Sequence, residues 1–526
     1  MDIRTINARL SVSPQIRPED VPAIAAAGFR SIICNRPDGE EAGQPTSAAM
    51  AAAAQANGLA FTHLPVVAGK LADTDAALMA NALAHLPGPV LAYCRSGSRS
   101  EKLSAMAEPQ DSADGLAEFD IVIVGGGSAG IATAASILRR NRDVKLAVVE
   151  PSEDHYYQPG WTMVGAGVFD PEFTHRREAS LIPPGAEWIK SAVARFEPDA
   201  NHVELSDGRR IGYRVLIVCP GIKLDWDAIP GLAETLGRNG VTSNYRYDLA
   251  PYTHRLVREF AGGTAIFTQP PMPIKCAGAP QKAMYLSCHR WEKAGVLDAA
   301  DVQFHTAGTA LFGVPAYVPA LMDYVDRYGI DLNFESKLVA IDGPARKATF
   351  EQRRGDTLTT VDQHFDMIHV VPPQIAPDFI RSSPLAAPSG FVAVDEATLQ
   401  HPDYPNIFAL GDACAASNAK TAAAARKQAP VVAVNALAAL AGQPPVADYD
   451  GYGSCPLTVE AGKIVLAEFG YGGKLLPSFP AWLIDGTRPS RLSWLLKDTI
   501  LPPVYWHGML KGREWMVKPH MIDANG

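Results

Sequence analysis

The sequence predicts an α/β protein assembled from a small N-terminal α/β domain and two larger α/β units, closed by a helical tail. Three observations lead there. Strand-like and helix-like runs alternate from the start: Ser31-Ile-Ile-Cys-Asn35, the Ala-rich 47–57, then 60–67, 74–85 and Pro89-Val-Leu-Ala-Tyr93. A polar, acidic stretch at 107–118, AEPQDSADGLAE, then breaks the alternation and reads as a linker. From Phe119 a new series opens, with strands near 121–124, 145–149, 215–219, 263–268, 302–305 and 407–410, forming two α/β halves without a short-period repeat. The boundaries expected are a first domain at 1–108, a linker at 109–118 and a second body at 119–526. That body divides into one unit at about 119–235 and 380–445, a middle unit at about 236–379, and a C-terminal region at about 446–526.

Composition removes several classes of function. A chain of 526 residues has room for three or four folding units. At 47% hydrophobic and 20% charged it is neither disordered nor a polytopic membrane protein. With 47 Lys+Arg against 56 Asp+Glu, it has no overall cationic field for a phosphate backbone, so no nucleic acid is expected as a partner. Seven cysteines, thinly spread and odd in number, are not a secreted disulfide framework. The start, Met1 to Pro14, lacks a basic segment followed by an apolar one, so a cytoplasmic location is expected.

In the first domain the strand VLAY runs into Cys94-Arg-Ser-Gly-Ser-Arg99-Ser and then a helix. A cysteine in such a loop meets backbone amides that lower a thiol's pKa and hold an oxyanion or a persulfide. A cysteine-dependent phosphatase would need arginine one residue later, where Ser100 stands. The six-residue loop from Cys94 to Arg99 resembles that of rhodanese-type sulfurtransferases, and the sequence before it resembles the bacterial beta-lactamase hydrolase-like, phosphatase-like family. The resemblance implies sulfur transfer at Cys94 with Arg99; a phosphatase or an inert loop are the other readings.

The second body opens with FDIVIV, then Gly125-Gly-Gly127-Ser128-Ala129-Gly130, a helix, and a strand ending at Glu150. Gly125 permits a tight turn, Gly127 admits a pyrophosphate to the amides, Gly130 lets helix and strand approach, and Glu150 accepts from a ribose hydroxyl. This is a Rossmann-like dinucleotide loop in its full βαβ setting. FAD is preferred to NAD because Gly411-Asp412, after a distant strand, resembles the second flavin-holding segment of two-dinucleotide-domain flavoproteins. The middle unit's strand runs instead into Gln269-Pro-Pro-Met-Pro273, and prolines offer no amides to a second pyrophosphate.

Next come Ile274-Lys-Cys276-Ala-Gly-Ala-Pro-Gln-Lys282, a cysteine beside two lysines at a helix start, and Gly453-Ser-Cys455-Pro-Leu. With HYYQPGW at 155–161, Val371-Pro-Pro373 and GDACAASNAKTAAAA at 411–425, these segments resemble sulfide:quinone oxidoreductases of the branch that includes the mitochondrial enzymes, over about 119–515. The resemblance implies that Cys276 and Cys455 form the redox pair facing the flavin. It places Glu150, Gln158 and a backbone contact of Val193 on FAD, and Asp412 and Lys420 near the ribityl chain and ring. It further implies sulfide and a membrane quinone as substrates and a small thiol such as glutathione as sulfur acceptor. A homo-oligomer stays open, and no metal is expected. A non-enzymatic flavin-bound sulfide sensor and a pyridine-nucleotide persulfide reductase with an N-terminal phosphatase remain as alternatives. Cys34, Cys219 and Cys288 read as buried apolar residues, Cys414 as lying near the flavin without reacting, and His155 as a hydrogen-bonded structural histidine.

The last forty-odd residues hold Trp482, Trp494, Trp506 and Trp515, half of the chain's eight tryptophans, among Arg488, Arg491, Lys497, Lys511 and Arg513. A basic aromatic tail is expected to lie on a membrane surface at the inner face of the cell membrane; helices that pack on the core or form a dimer are the other reading.

Overall fold

The structure is a computed structural model that describes residues 3–7, 9–67, 71–107 and 117–522. The chain divides into two compact units, 1–117 with the short segment 204–211, and 118–203 with 212–526.

The first unit is a five-stranded sheet in the order β1 (Arg4–Thr5), β2 (Leu10–Ser13), β5 (Val90–Tyr93), β3 (Ser31–Cys34), β4 (Ala60–His63), parallel except for β1. The side-chain period of two sorts these strands cleanly. Ile32, Cys34, Leu91 and Tyr93 enter one core with Ile16, Val21 and Met50, while Ile33, Val90 and Ala92 enter the other with Val12, Met79 and Leu103. The helices are α1 (Val21–Ala26), α2 (Ser47–Ala56), α3 (Asp73–His85) and α4 (Ser98–Ala107), with Thr46 capping α2 by accepting from the Ala49 amide. Parallel β3 and β5 deliver their C-terminal ends side by side, which sets the Cys94 loop beside the loop after Cys34.

Of the expected linker, residues 109–116 lie outside the described residues. Ala117 and Glu118 already belong to β6 (Ala117–Val124), both exposed ahead of its buried apolar run. The second unit's main sheet runs Ala186–Ile189, β7 (Leu146–Val149), β6, Arg210–Val218, His202–Leu205, Val193–Glu197, with Ile407–Ala409 also pairing Arg210–Val218. The helix between β6 and β7 is α5 (Ser128–Arg140), buried along almost its whole length and covered by the helix Ala422–Leu440.

A second parallel sheet, Val241–Thr242, Met367–His369, Gly263–Gln269, Ala300–Thr306, Asp331–Asn333, forms the middle unit, followed by an antiparallel three-stranded sheet over 336–364. The fold is therefore α/β with Rossmann-like sheets and a helical C-terminus. The region from 446 onward is not helical throughout. It starts as Ala447–Asp448 and the hairpin Gly453–Glu460/Lys463–Phe469, passes through a 3₁₀ turn at Tyr471–Gly473, and is helical again over 491–511, as α, π and 3₁₀ turns in series. No helix among the described residues is long and apolar enough to cross a membrane.

Candidate active site

The glycine loop behaves as its residue types require. Gly125 has φ +108°, and a Cβ there would lie 2.6 Å from the Cys219 carbonyl oxygen; a Cβ on Gly130 would lie 1.8 Å from the Gly125 carbonyl. Gly127 has open space before it, so its side is free for a ligand. The N-terminus of α5 faces a cavity of about 990 Å³, lined also by Ala129, Gly411, Asp412 and Lys420. The residues present thus fit FAD: amides at a helix start and a cavity that also reaches Cys276. Glu150 and Val193 do not line that cavity. The Glu150 carboxylate accepts from the amides of Gly126 and Ser152, both at 2.8 Å, and Val193 opens the strand Val193–Glu197. The Lys420 ammonium donates to the carbonyls of Asp412 (2.9 Å) and Cys414 (2.7 Å).

Cys276 lines the same cavity, and Cys455 stands behind it. Cys276 precedes the helix Ala279–Ala294, and Cys455 lies on the strand Gly453–Glu460; their sulfurs are 3.4 Å apart and unbridged. Two local features make this approach feasible. Cys276 has φ +82°, a conformation that costs a non-glycine residue roughly 1–3 kcal/mol and is held only by its surroundings. Gly278 must be glycine, since a Cβ there would fall 2.6 Å from the Cys455 sulfur.

The Lys282 ammonium donates to the Cys276 sulfur at 3.2 Å. The hydrogen bond from Cys455, and after it the Lys282 charge, hold the Cys276 thiol well below the ordinary thiol range despite burial, while Cys455 is pushed well above it. The pair is therefore asymmetric, Cys276 being the more acidic thiol. Lys275 turns the other way and donates to the Gln158 side-chain oxygen at 2.5 Å, so Gln158 is tied to the segment that carries Cys276.

Lys497 is the residue that sequence reasoning missed. Its place in a basic aromatic tail predicts a surface residue, yet it is only 4% exposed, lines the cavity and contributes its charge to lowering Cys276. Burial, and then repulsion from Lys282, depress it to about 7. A lysine in the middle of an apolar run, LSWLLKDTILPP, was the available signal. Beside it Ile500, Leu501 and Tyr505 wall the same cavity, so the tail is in part core. Outside the cavity it carries exposed apolar side chains, Leu492, Leu495 and Trp482, the last 84% exposed.

Four further cysteines lie away from the Cys276 and Cys455 pair. Cys34, Cys219, Cys288 and Cys414 are buried, and burial raises each thiol. His155 is buried and hydrogen-bonded through both ring nitrogens, to Glu178 and Tyr505.

In the first unit Cys94 is buried at the end of β5. Burial raises its thiol, but the amides of Ser100, Ser96 and Arg99 and the Ser100 hydroxyl outweigh this and bring it below the ordinary value. The Arg99 guanidinium is not turned into the loop. It donates to Glu40 (2.7 Å) and to the Val66 carbonyl (2.6 Å), so only its backbone amide serves the sulfur.

With this geometry in place, comparison with known proteins is informative. Residues 2–110 match the family of the beta-lactamase hydrolase-like protein, phosphatase-like domain. The chain is 41% identical over 441 residues to the mitochondrial sulfide:quinone oxidoreductase of Dictyostelium discoideum, covering 83% of this chain and 94% of the relative. It is 38% identical to the mitochondrial sulfide:quinone oxidoreductase of Mus musculus, covering 75% and 87%. The crystal structure of the sulfide:quinone oxidoreductase from the hyperthermophilic bacterium Aquifex aeolicus superposes with a TM-score of 0.64 at 20% identity, over 77% of this chain and 97% of that one, a likeness of fold. The mitochondrial relatives overturn the expectation of a cytoplasmic enzyme on the inner face of the cell membrane; they point to a mitochondrial location instead.

Proposed function

The chain belongs to the sulfide:quinone oxidoreductase family, and on that premise we propose that Cys276 and Cys455 carry out sulfide oxidation, with a membrane quinone as electron acceptor and a thiol as sulfur acceptor. As a member it is an FAD-binding oxidoreductase that couples sulfide to quinone, with a beta-lactamase hydrolase-like domain at its N-terminus. Bound FAD supplies a two-electron relay between the cysteine pair and quinone. The amides of Gly127 to Gly130 would hold its pyrophosphate, and Asp412 and Lys420 the segment leading to the ring, while Glu150, tied to the Gly126 and Ser152 amides outside the cavity, would brace the loop.

The observation that carries the reading is the asymmetry of the pair at 3.4 Å. In the oxidised, bridged state, hydrosulfide attacks the Cys455 sulfur and the S–S bond breaks. Cys276 leaves as a thiolate because its pKa is the lower of the two, and Lys282 stabilises that charge as it develops. The outer sulfur of the Cys455 persulfide passes to a thiolate acceptor such as glutathione, leaving Cys455 as thiolate; re-forming the bridge then releases two electrons. The apolar wall of Ile500, Leu501 and Val504 suits a quinone ring, and the exposed leucines beside it suit a bilayer surface where quinone dissolves.

For the N-terminal unit the reading is persulfide transfer. The Cys94 thiolate attacks the outer sulfur of a thiol persulfide, the S–S bond breaks, and the thiol leaves as thiolate. The depressed thiol and the amide-rich loop support this step.

Anaerobic addition of sulfide to the purified holoenzyme, followed by flavin absorbance, tests the main reading. Bleaching is expected in wild type and restoration on adding a quinone. Cys276→Ser and Cys455→Ser should keep FAD and lose the bleaching. Normal bleaching in either variant removes the pair from the mechanism.

A further inference from the structure

The Cys94 loop sits against a cluster of charge that sulfur chemistry alone does not account for. The loop after β3 carries Arg36, Glu40 and Glu41, and the loop after β5 carries Arg95 and Arg99. Arg36 is buried. Its Nε donates to Glu40 at 2.6 Å, one terminal nitrogen to Glu41 at 2.8 Å and the other to the Gln15 side-chain oxygen at 2.8 Å. The second oxygen of Glu40 takes the Arg99 guanidinium at 2.7 Å, and Glu41 lies 3.7 Å from Arg95. Arg99 is further fixed by the carbonyls of Val66 and Asn35.

Every guanidinium around the loop is therefore answered by a carboxylate. What faces the Cys94 sulfur is neutral: the amides of Ser96, Arg99 and Ser100 and the Ser100 hydroxyl. The Ser100 residue is fully buried, and apart from the Cys94 sulfur its hydroxyl has no hydrogen-bond partner. A doubly charged tetrahedral oxyanion is held by a guanidinium fork, because two parallel charge-assisted hydrogen bonds match its geometry. A singly charged sulfur needs only amides.

We propose that Glu40 determines the specificity of the Cys94 site: by holding Arg99 outside the loop it bars phosphate-class oxyanions and leaves a neutral cradle fitted to the sulfur of a thiol persulfide. This rests on the sulfur-handling reading of Cys94. It explains how a chain segment that matches a phosphatase-like family can keep both an arginine and a low-pKa cysteine without being a phosphate site.

The test is alkylation of Cys94 by iodoacetamide in the full-length holoenzyme, followed by mass spectrometry of the Cys94 peptide, with orthophosphate or tungstate as the probe. Both ions should leave the wild-type rate within two-fold. In Glu40→Gln, where Arg99 is released, the same concentrations should slow alkylation at least ten-fold, and adding Arg99→Ala to that variant should remove the protection. Protection of the wild type, or a Glu40→Gln protein that folds and is not protected, overturns the proposal. The wild-type arm needs no variant, and Glu40→Ala repeats the second arm. Labelling of Cys94 by glutathione persulfide, measured in the same preparation, reports separately on sulfur handling: no label with phosphate-insensitive alkylation removes that reading while the exclusion by Glu40 stands.

Discussion

The hydroxyl of Tyr505 lies 2.6 Å from Ser128 Oγ, although 377 residues separate them in sequence. The same hydroxyl meets His155 Nε2 at 2.6 Å, and His155 Nδ1 meets Glu178 at 3.1 Å. Four buried or half-buried polar groups thus join the first residue of α5 to the C-terminal helix. Farther along, Arg140 and Glu514 pair across the same interface. The tail is pinned to the dinucleotide loop at one end and closes over the cysteine pair, through Lys497, at the other.

Tyr505→Phe keeps the ring and removes both hydrogen bonds, leaving a buried imidazole nitrogen unpartnered, which costs about 1–3 kcal/mol. Hydrogen exchange of peptides from 491–511 is expected to quicken by roughly ten-fold or more, since 1.4 kcal/mol is a factor of ten. Unchanged exchange would show that packing alone holds the tail.

Lys497 gives a pH dependence with a definite sign. The unfolded chain keeps the lysine proton up to its ordinary pKa of 10.5, whereas the folded protein releases it at about 7. Between these values the unfolded state binds more protons, so stability rises with pH across that window; below 7 the full cost of burying the charge is present. Lys497→Met is therefore expected to raise the melting temperature most near pH 6 and least near pH 10. It also removes a cation from beside Cys276, so alkylation of Cys276 in the reduced enzyme should slow several-fold at pH 6 and converge with wild type above pH 9. Equal alkylation profiles would show that Cys455 and Lys282 set the thiolate without Lys497.

The exposed face of the tail makes a separate prediction. Truncation after Asp485 would remove Lys497 and Tyr505 and so damage the site itself. Leu492→Ser, Leu495→Ser and Trp482→Ser combined instead change only half-exposed or exposed side chains. Vesicle binding is expected to fall by about a hundred-fold, on the order of 1 kcal/mol for each of the three apolar groups withdrawn from lipid. Sulfide-dependent bleaching of the flavin should stay as in wild type. Undiminished flotation with vesicles would place the anchor elsewhere.

Much of this arrangement is legible in the sequence because it depends on local backbone demands. Gly125 and Gly130 announce a loop where any Cβ would strike the Cys219 or Gly125 carbonyl, and the alternation in VLAY and SIIC sorts residues to two faces by period alone. Cys276 and Cys455 are legible only as motifs. Nothing local says that a residue on a hairpin will stand 3.4 Å from one 179 positions earlier. Lys497 and Arg99 are misleading for one reason: a charged residue's partner is chosen by tertiary structure. Lys497 is drawn inward by two cysteines that its own segment does not contain, and Arg99 outward by Glu40 in a neighbouring loop.

The last prediction concerns what the N-terminal unit adds to turnover. If Cys94 accepts sulfur from a small-molecule persulfide formed at Cys455, it stands downstream of every electron-transfer step. Cys94→Ser should then leave flavin bleaching by sulfide and quinone turnover with glutathione unchanged, while abolishing persulfide on the N-terminal unit. The wild-type peptide containing Cys94 should gain 32 Da, one sulfur, after turnover with sulfide, quinone and glutathione, and the gain should vanish in Cys455→Ser, where no sulfur is released to glutathione. Supplying preformed glutathione persulfide to Cys455→Ser should restore it, because the low thiol pKa at Cys94 comes from the amides of its own loop and owes nothing to the flavoprotein cysteines. A Cys94 peptide that never gains sulfur under either condition removes sulfur transfer from this unit. A peptide that gains it only during turnover, and not from preformed persulfide, would instead demand direct hand-over from the flavoprotein cysteines.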